Sequence, residues 1–529
     1  MANIFHYKIT LKNHPPIFGQ CVRPHGALHI VEDLPEDTIV KVEASLNVPL
    51  GATGRVFMNG YQSWTYSTEH SRVGRTHGIG HLPKLAVDYY GLDRYGDYNW
   101  VSYPERPGIT HGESYCYFRE GDDFRLVGSL DEHPGYTMLR YNCDSHELRI
   151  ERDCAGLRCG GPFHAFDLYF AHGTEDEVFD AWFDAMGVKA RTQEKIAGYT
   201  SWYNRYENIS AETIREDLAG CVGRLQPGDL YQIDDGWEPN GGDWLEADAK
   251  KFPAGMKQAA EAIHDAGCRA GLWLAPFVAN KASALYREHR DWFLQDENGK
   301  PWRAGCNWGG FYALDIDNPE VVAYLEKVFD RVLNDWGYDL VKLDFLYAAA
   351  PLAGEKETRA GRMRRAMELL RRLCGDKLIL GCGVPIMPAF GLVDYCRIGC
   401  DVSLDWDDKP HMRLAHRERI STRQSINNTV FRRQLNGRAW LNDPDVFFLR
   451  DDNLKLSDEQ KYVLATVNSV LGSVLLHSDN MAKYGAVAKA QYAQLLRNRE
   501  ATKIEVVKDL ENYALSYELN GRRVTVKIE

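Results

Sequence analysis

The chain has 529 residues, 44% hydrophobic and 12% aromatic, an ordinary globular composition too long for a single core. Its 63 basic and 75 acidic residues leave a net charge of −12, which repels a phosphate backbone and argues against nucleic acid as a partner. No run approaches the ~20 apolar residues of a membrane span, and the start, from Met1 to Lys8, lacks an apolar signal core. A cytoplasmic location without a membrane partner is therefore expected.

Residues 1–185 alternate in short runs such as Thr38–Ala44 and Glu147–Glu151, broken by Gly, Pro, Asn and Asp, which predicts a β-sandwich domain. A helix over Glu175–Met186 closes it. From about 195 the rhythm changes to strand and helix in turn. Strands are predicted at Ala197–Tyr199, Leu230–Ile233, Ala270–Leu274, Leu340–Leu343, Leu378–Gly381, Tyr395–Ile398, Ala439–Leu441 and Val474–Leu476. Helices with 3.6-residue apolar spacing lie over Ser210–Leu225, Gly255–Ala266, Pro319–Trp336 and Arg362–Cys374. Ser210 and Asp317 read as N-caps, and Gly267, Gly337 and Gly375 sit where C-caps belong. Only a short helix fits between 386 and 393. Eight such units over 186–500 predict a (β/α)8 TIM-type barrel. A doubly wound sheet competes, but it calls for a Gly-rich phosphate loop that this sequence does not have. Residues 501–529 return to alternation, with Asn520-Gly521 as a hairpin turn, and predict a small antiparallel sheet.

Twelve cysteines are scattered along the chain. The closest pairs, Cys154 with Cys159 and Cys396 with Cys400, have neither a second CxxC nor a His cluster beside them, so reduced thiols are expected and no cofactor is implied.

Asp344 and Asp401 each stand where an apolar strand breaks into polar residues, the position at which barrel folds place catalytic groups. Two facing carboxylates are the minimum for cleaving a glycosidic bond. Lys342 points the same way as Asp344 and is expected to lower its pKa, as a nucleophile requires; a structural Lys–Asp pair is the alternative. Asp401, raised by its neighbour, would carry the proton, with Arg397 four residues earlier; alternatively Asp401 is a helix N-cap. Asp234 and Asp235 end strand two, with Gly236 providing the turn that lets both reach one ligand. Sugar hydroxyls would compensate the pair, and a Mg²⁺ or Ca²⁺ ion is the competing occupant. Trp64, Trp202, Trp273 and Trp308 lie beside polar residues near strand exits or loops, as aromatic pocket walls or as plain packing.

Taken together, Tyr231-Gln-Ile-Asp-Asp-Gly-Trp237, Gly242-Asp-Trp244, Leu272–Phe277, Val341-Lys-Leu-Asp-Phe345, Gly381–Pro385, Arg397-Ile-Gly-Cys-Asp401 and Trp440–Asp445 resemble, in order, the motifs of glycoside hydrolase family 36, the retaining α-galactosidases of clan D. The resemblance implies Asp344 as nucleophile, Asp401 as acid/base, and Asp234 with Asp235 on the galactose 4- and 6-hydroxyls. It implies sugar contacts for Lys342, Arg397, Cys382 and Trp273. Trp202 matches the Trp opening the barrel, and Trp64, in Gly60-Tyr-Gln-Ser-Trp64, the one lent by the sandwich. Cys400 replaces a common Pro, and Val384 stands where a hydroxyl is frequent, so this chain departs around the sugar C2 substituent and the leaving group. The expected activity is exo-hydrolysis of α-galactoside oligosaccharides by double displacement, without metal or cofactor. The rivals are an α-N-acetylgalactosaminidase, an α-galactosyl transglycosylase and a non-catalytic sugar-binding protein. Loops at 66–100 and 400–425 are placed to shape the leaving-group side, with a homo-oligomer left open.

Overall fold

The strand–helix alternation after residue 195 closes into a barrel in the computed structural model, which describes residues 4–406, 416–508 and 513–528. Its parallel strands are Ile196–Thr200, Leu230–Ile233, Arg269–Leu274, Leu340–Leu343, Leu378–Gly381, Tyr395–Arg397, Leu441–Asp443 and Val474–His477. They pair in that order, strand eight returning to strand one through Ile196↔Val474 to Tyr199↔His477. Strand seven makes its last joint in two pieces. Leu441–Asp443 pairs strand six, and Val446–Phe447, just beyond Pro444, pairs strand eight. Short Val/Ile/Leu runs of this kind, buried on both faces, are what a barrel wrapped in helices demands.

The helices obey their sequence signals with one exception. Ser210 caps Ala211–Cys221 through Thr213 N, as expected. Pro319–Asp330 is capped by Asn318 and not by Asp317. Asp317 is drawn away by Arg362 and Arg365, both at 2.6 Å, and a carboxylate holding two guanidiniums gains more there than at a cap. The segment continues as a π turn over Arg331–Asp335, and a 3₁₀ turn, Met387–Ala389, fills the short 386–393 interval. Gly267, Gly337 and Gly375 all have positive φ.

In the sandwich a 22-residue strand, Gly26–Asn47, runs through both sheets. Its first half pairs Arg158–Gly173, and its second half pairs Ile4–Leu11 and Glu147–Arg152. Phe5, Ile9, Ile39, Val42, Phe118, Leu139 and Phe166 fill the space between the sheets. Helix Glu175–Met186 packs Trp182 onto the outer side against Tyr115. At the other end of the chain, Thr502–Lys508, Tyr513–Leu519 and Arg522–Ile528 form the small antiparallel sheet. Its last turn has Asn520 and Gly521 at φ 51° and 73°, the pair of positive values that a tight hairpin needs. All twelve cysteines are free thiols, ten of them buried. No described helix is long and apolar enough to cross a membrane.

Sandwich and barrel meet through a strap, residues 59–67. Gln62 bridges to Pro385 in the loop after strand five, Ser63 N donates to Val384 O at 2.9 Å, and Ile386 N donates to Tyr61 O. Arg432 is wholly buried beneath it. Its guanidinium donates to Asn59 Oδ1, Gly60 O, Gln62 O, Ser63 O and the strand-six exit carbonyl of Ile398, at 2.7–3.1 Å. Replacing Arg432 with Ala leaves these buried oxygens short of donors and is expected to destabilise the protein by at least about 3 kcal/mol. Lys, with three donors, should restore part of the loss. Thermal unfolding of both variants checks this; an Ala variant within 1 °C of the parent, about 1 kcal/mol for a protein of this size, contradicts it.

Candidate active site

Parallel register sets the layer of side chains at the barrel mouth. Trp273 on strand three pairs Lys342 on strand four, Leu343 pairs Gly381 on strand five, and Arg397 on strand six pairs Asp443 on strand seven. One residue beyond the pairing, Asp344 N still donates to Leu274 O, so its side chain leaves the strand in a fixed direction. Phe345 then turns into the left-handed region at φ 51° and donates its N–H to Asp344 Oδ1 at 2.8 Å.

A cavity of about 700 Å³ opens over this layer, and Trp64, Trp202, Asp234, Asp235, Trp273, Lys342, Asp344 and Asp401 all line it. Arg397 and Cys382 stand one layer back. Arg397 Nη1 donates to Asp401 Oδ1 at 2.8 Å. Cys382 Sγ accepts from Trp64 Nε1 at 3.2 Å, so the strap's indole is held by the strand-five thiol. Gly383 makes that approach possible: a Cβ there would sit 2.8 Å from the Trp64 ring, and its φ is +57°. Asp401 is no N-cap; it sits in irregular chain, and its carbonyl accepts from Ser421 N.

Lys342 is not where the sequence reading places its charge. Its ammonium bonds Asp234 Oδ2 at 2.8 Å, alongside Gln232 Nε2 at 2.9 Å. Burial opposes ionisation of Asp234, but Lys342 outweighs it and holds the carboxyl below its usual range. Asp344 is left with two N–H donors, Phe345 N and Trp273 Nε1 at 3.1 Å. Burial therefore pushes Asp344 up, with Asp401 adding to the rise and Lys342 only moderating it. The expected lowering by Lys342 is present but outweighed by burial, because the lysine stem reaches across to strand two.

Asp235 has a different setting. Oδ2 accepts from Trp308 Nε1 at 3.0 Å, and the buried Glu238 carboxyl shares a proton with it. Burial first, then Glu238 and Asp234, push its carboxyl up to about 10. Glu238, buried two residues beyond Gly236, is the acidic neighbour that the sequence reading did not pair with Asp235. With Lys342 already on Asp234 and Asp235 protonated, the pair fits hydroxyls better than a divalent cation. Among the described residues, three side chains with metal-ligand spacing are Asp97, His111 and Glu113, buried in the sandwich domain, where Asp97 lies 3.6 Å from Arg417.

Arg397 gathers three carboxylates: Asp401, Asp445 at 2.8 Å and Asp443 at 3.5 Å. Asp445 also accepts from Tyr203 OH and Val402 N, and burial, offset by Arg397, leaves it at about 6. Asp443 and Asp445 were visible in Trp440–Asp445 without a role. They flank Pro444, and Asp445 takes a positive φ of 74°. The loop 400–425 reaches the cavity with His416, Glu418, Arg419 and Ile420; its residues 407–415 lie outside those described.

Residues 200–366 match the Melibiase family. A galactosaminidase of Flavonifractor plautii, described as acting on A-type blood α-D-galactosamine, is 35% identical over 141 residues, 25% of this chain. α-Galactosidase AgaA of Geobacillus stearothermophilus is 31% identical over 161 residues, 29% of this chain. The matched stretches span only 13% and 21% of those proteins' own lengths. Among solved structures, the α-galactosidase TtGalA of Thermus thermophilus, in complex with p-nitrophenyl α-D-galactopyranoside, superposes with a TM-score of 0.75 at 28% identity, covering 98% of both chains. The family 36 structure of AgaA superposes at 0.62 with 12% identity over 97% of this chain and 79% of its own, a likeness of fold.

The protonated Asp235 carries a stability signature. Between about pH 4 and 10 the folded protein holds a proton that the unfolded chain has released, so stability falls as pH rises through that window. Asp235→Asn removes the linkage. Its unfolding midpoint should drop less from pH 5 to pH 9 than the parent's; parallel drops in the two proteins contradict the assignment.

Proposed function

We propose that this chain, a member of glycoside hydrolase family 36, is an exo-acting, retaining α-galactosidase that removes terminal α-D-galactosyl residues from oligosaccharides. The observation that carries the reading is the convergence of Asp344 and Asp401 on one cavity with opposite supports. Asp344 is buried and receives N–H donors but no cation of its own. Its ionised form has no cation bonded to it, and positive charge developing at the sugar C1 supplies the missing partner. Asp401 is about a third exposed and rests on Arg397, placed to exchange a proton first with the leaving group and then with water.

The reaction follows as a double displacement. Asp344 attacks C1 as Asp401 protonates the glycosidic oxygen; the C1–O bond to the leaving group breaks as the ester bond forms. Asp401 then takes a proton from water, whose oxygen attacks C1 and releases Asp344, giving α-galactose. Asp234, ionised, accepts from sugar hydroxyls, and Asp235 in its protonated form can donate to one as well as accept. Trp64, Trp202 and Trp273 supply apolar faces for the ring. Lys342 positions Asp234, Arg397 positions Asp401, and Cys382 holds Trp64.

Chemical rescue separates the two carboxylates. Asp344→Gly should lose about 10⁴-fold or more in turnover, and added azide should then yield β-galactosyl azide. Asp401→Gly should spare activated aryl galactosides better than unactivated ones and yield the α-azide. Normal turnover of an aryl α-galactoside by both variants removes the assignment. The N-acetylgalactosaminidase reading is tested by matched aryl glycosides of galactose and N-acetylgalactosamine, with the galactoside expected to be faster.

A further inference from the structure

The cavity changes character along its depth. Its inner end carries Asp234, Asp235, Lys342, Asp344 and Asp401, whereas its outer wall is made of Leu82, Ala86, Tyr90, Leu92, Tyr95 and, from the loop that brings His416, Ile420. Leu82 to Tyr95 belong to the sandwich excursion between strands Thr68–His70 and Ile109–Glu113. The excursion contains the helix Lys84–Tyr90, which buries none of its residues. Leu85, Tyr89 and Tyr90 are 86%, 72% and 53% exposed. Contiguous apolar surface held in water marks a binding function, and here it continues directly into the cavity that contains the carboxylates.

That wall is built in advance. Arg303 Nη1 donates to Asp88 O and Tyr89 O at 3.3 and 3.1 Å, tying the helix end to the barrel. Tyr95 OH donates to Asn307 Oδ1 and accepts from Cys306 N, each at 2.8 Å, and its ring stacks on His416 at 5.4 Å and 6°. Among the described residues, the polar groups bordering this end are already committed. Asn307 holds Tyr95, Glu418 accepts from Thr65 and Tyr98 at 2.6 and 2.7 Å, and His416 contacts Glu418. Arg419 also has partners of its own. A second sugar ring would bring hydroxyls to a surface with few groups available for them, and burying them unpaired is unfavourable. A hydrocarbon or aromatic group would lose only its contact with water.

We propose that the outer half of the cavity is a leaving-group subsite that favours an apolar aglycone, alkyl or aryl, over the second sugar of an oligosaccharide, which remains the slower substrate. The inference rests on the reaction proposed above: the aglycone departs as an alcohol carrying the proton from Asp401. The test compares kcat/KM for octyl α-galactoside, an α-1,6-galactosylglucose disaccharide and α-galactosyl fluoride, in the parent and in Leu82→Asn and Tyr90→Ser. The parent should favour the octyl glycoside over the disaccharide by about tenfold or more, and each variant should lower the octyl-to-fluoride ratio by about tenfold. The disaccharide-to-fluoride ratio should move by less than about twofold, since the sugar makes little use of this wall. Leu85→Asn, on the same helix but outside the cavity wall, should leave both ratios as in the parent. A disaccharide equal to or better than the octyl glycoside, or variants that shift both ratios alike, overturns the subsite. No turnover of the fluoride removes the hydrolase reading and the subsite with it.

Discussion

Arg432 spends all five of its N–H donors on oxygens, four from the 59–63 strap and one from the exit of barrel strand six. Among the described residues no carboxylate hydrogen-bonds it, and Glu418 acts only through space. Burial lowers its pKa to about 10, so at neutral pH a full positive charge sits in the interior, stabilised chiefly by dipoles. Such a charge is tolerable only when every donor is satisfied, and here that requires the sandwich strap and the barrel to be in place together. The strap continues directly into Trp64, and Ile398 lies three residues before Asp401. One cation therefore sets the distance between the aromatic wall and one of the two carboxylates, and couples the order of the sandwich to that of the barrel mouth.

The remaining cations are allotted with similar economy. Lys342 goes to Asp234, and Arg397 serves Asp401, Asp443 and Asp445. Asp344 and Asp235 receive none, and burial raises both. Carboxyls a few residues apart thus differ in protonation because of which long basic side chain reaches them, a division of roles set by environment rather than by residue type. The strand period explains why proximity in sequence misleads. Lys342 and Asp344 share a face, but an extended lysine stem places its ammonium over the neighbouring strand.

Fold and layer were legible because both depend on short-range pattern. The strands at Leu230–Ile233, Leu340–Leu343 and Leu378–Gly381 have the bounds expected from apolar runs ending at polar residues, and Asp234, Asp235, Asp344 and Asp401 follow from the same breaks. What depends on long-range geometry was hidden. Nothing local in Thr429–Arg433 shows that Arg432 meets residues 59–63, some 370 positions earlier, and nothing in Asp-Asp-Gly-Trp-Glu238 shows that the glutamate folds back on Asp235. The N-cap at Asn318 was missed for a related reason. Asp317 and Asn318 cap equally well by type, but two arginines on a later helix claim Asp317.

The sandwich contributes to the mouth through two separate excursions. The strap brings Trp64 to the inner end, where the carboxylates lie, and the segment from 71 to 108 brings the apolar wall to the outer end. Their supports differ. The strap is locked by a bridge to strand five and by Arg432, whereas the outer segment rests on Arg303, Tyr95 and the stacked His416. The two are joined through Gln62, where Nε2 donates to Tyr95 O at 2.9 Å and Oε1 accepts from Trp64 N at 3.1 Å, so changes at Tyr95 are felt at Trp64. Changes in the strap spread further, because three of its carbonyls, those of Gly60, Gln62 and Ser63, are also ligands of a buried charge. Physical coupling, and with it intolerance to substitution, should thus be concentrated at the end of the cavity where bonds are made and broken.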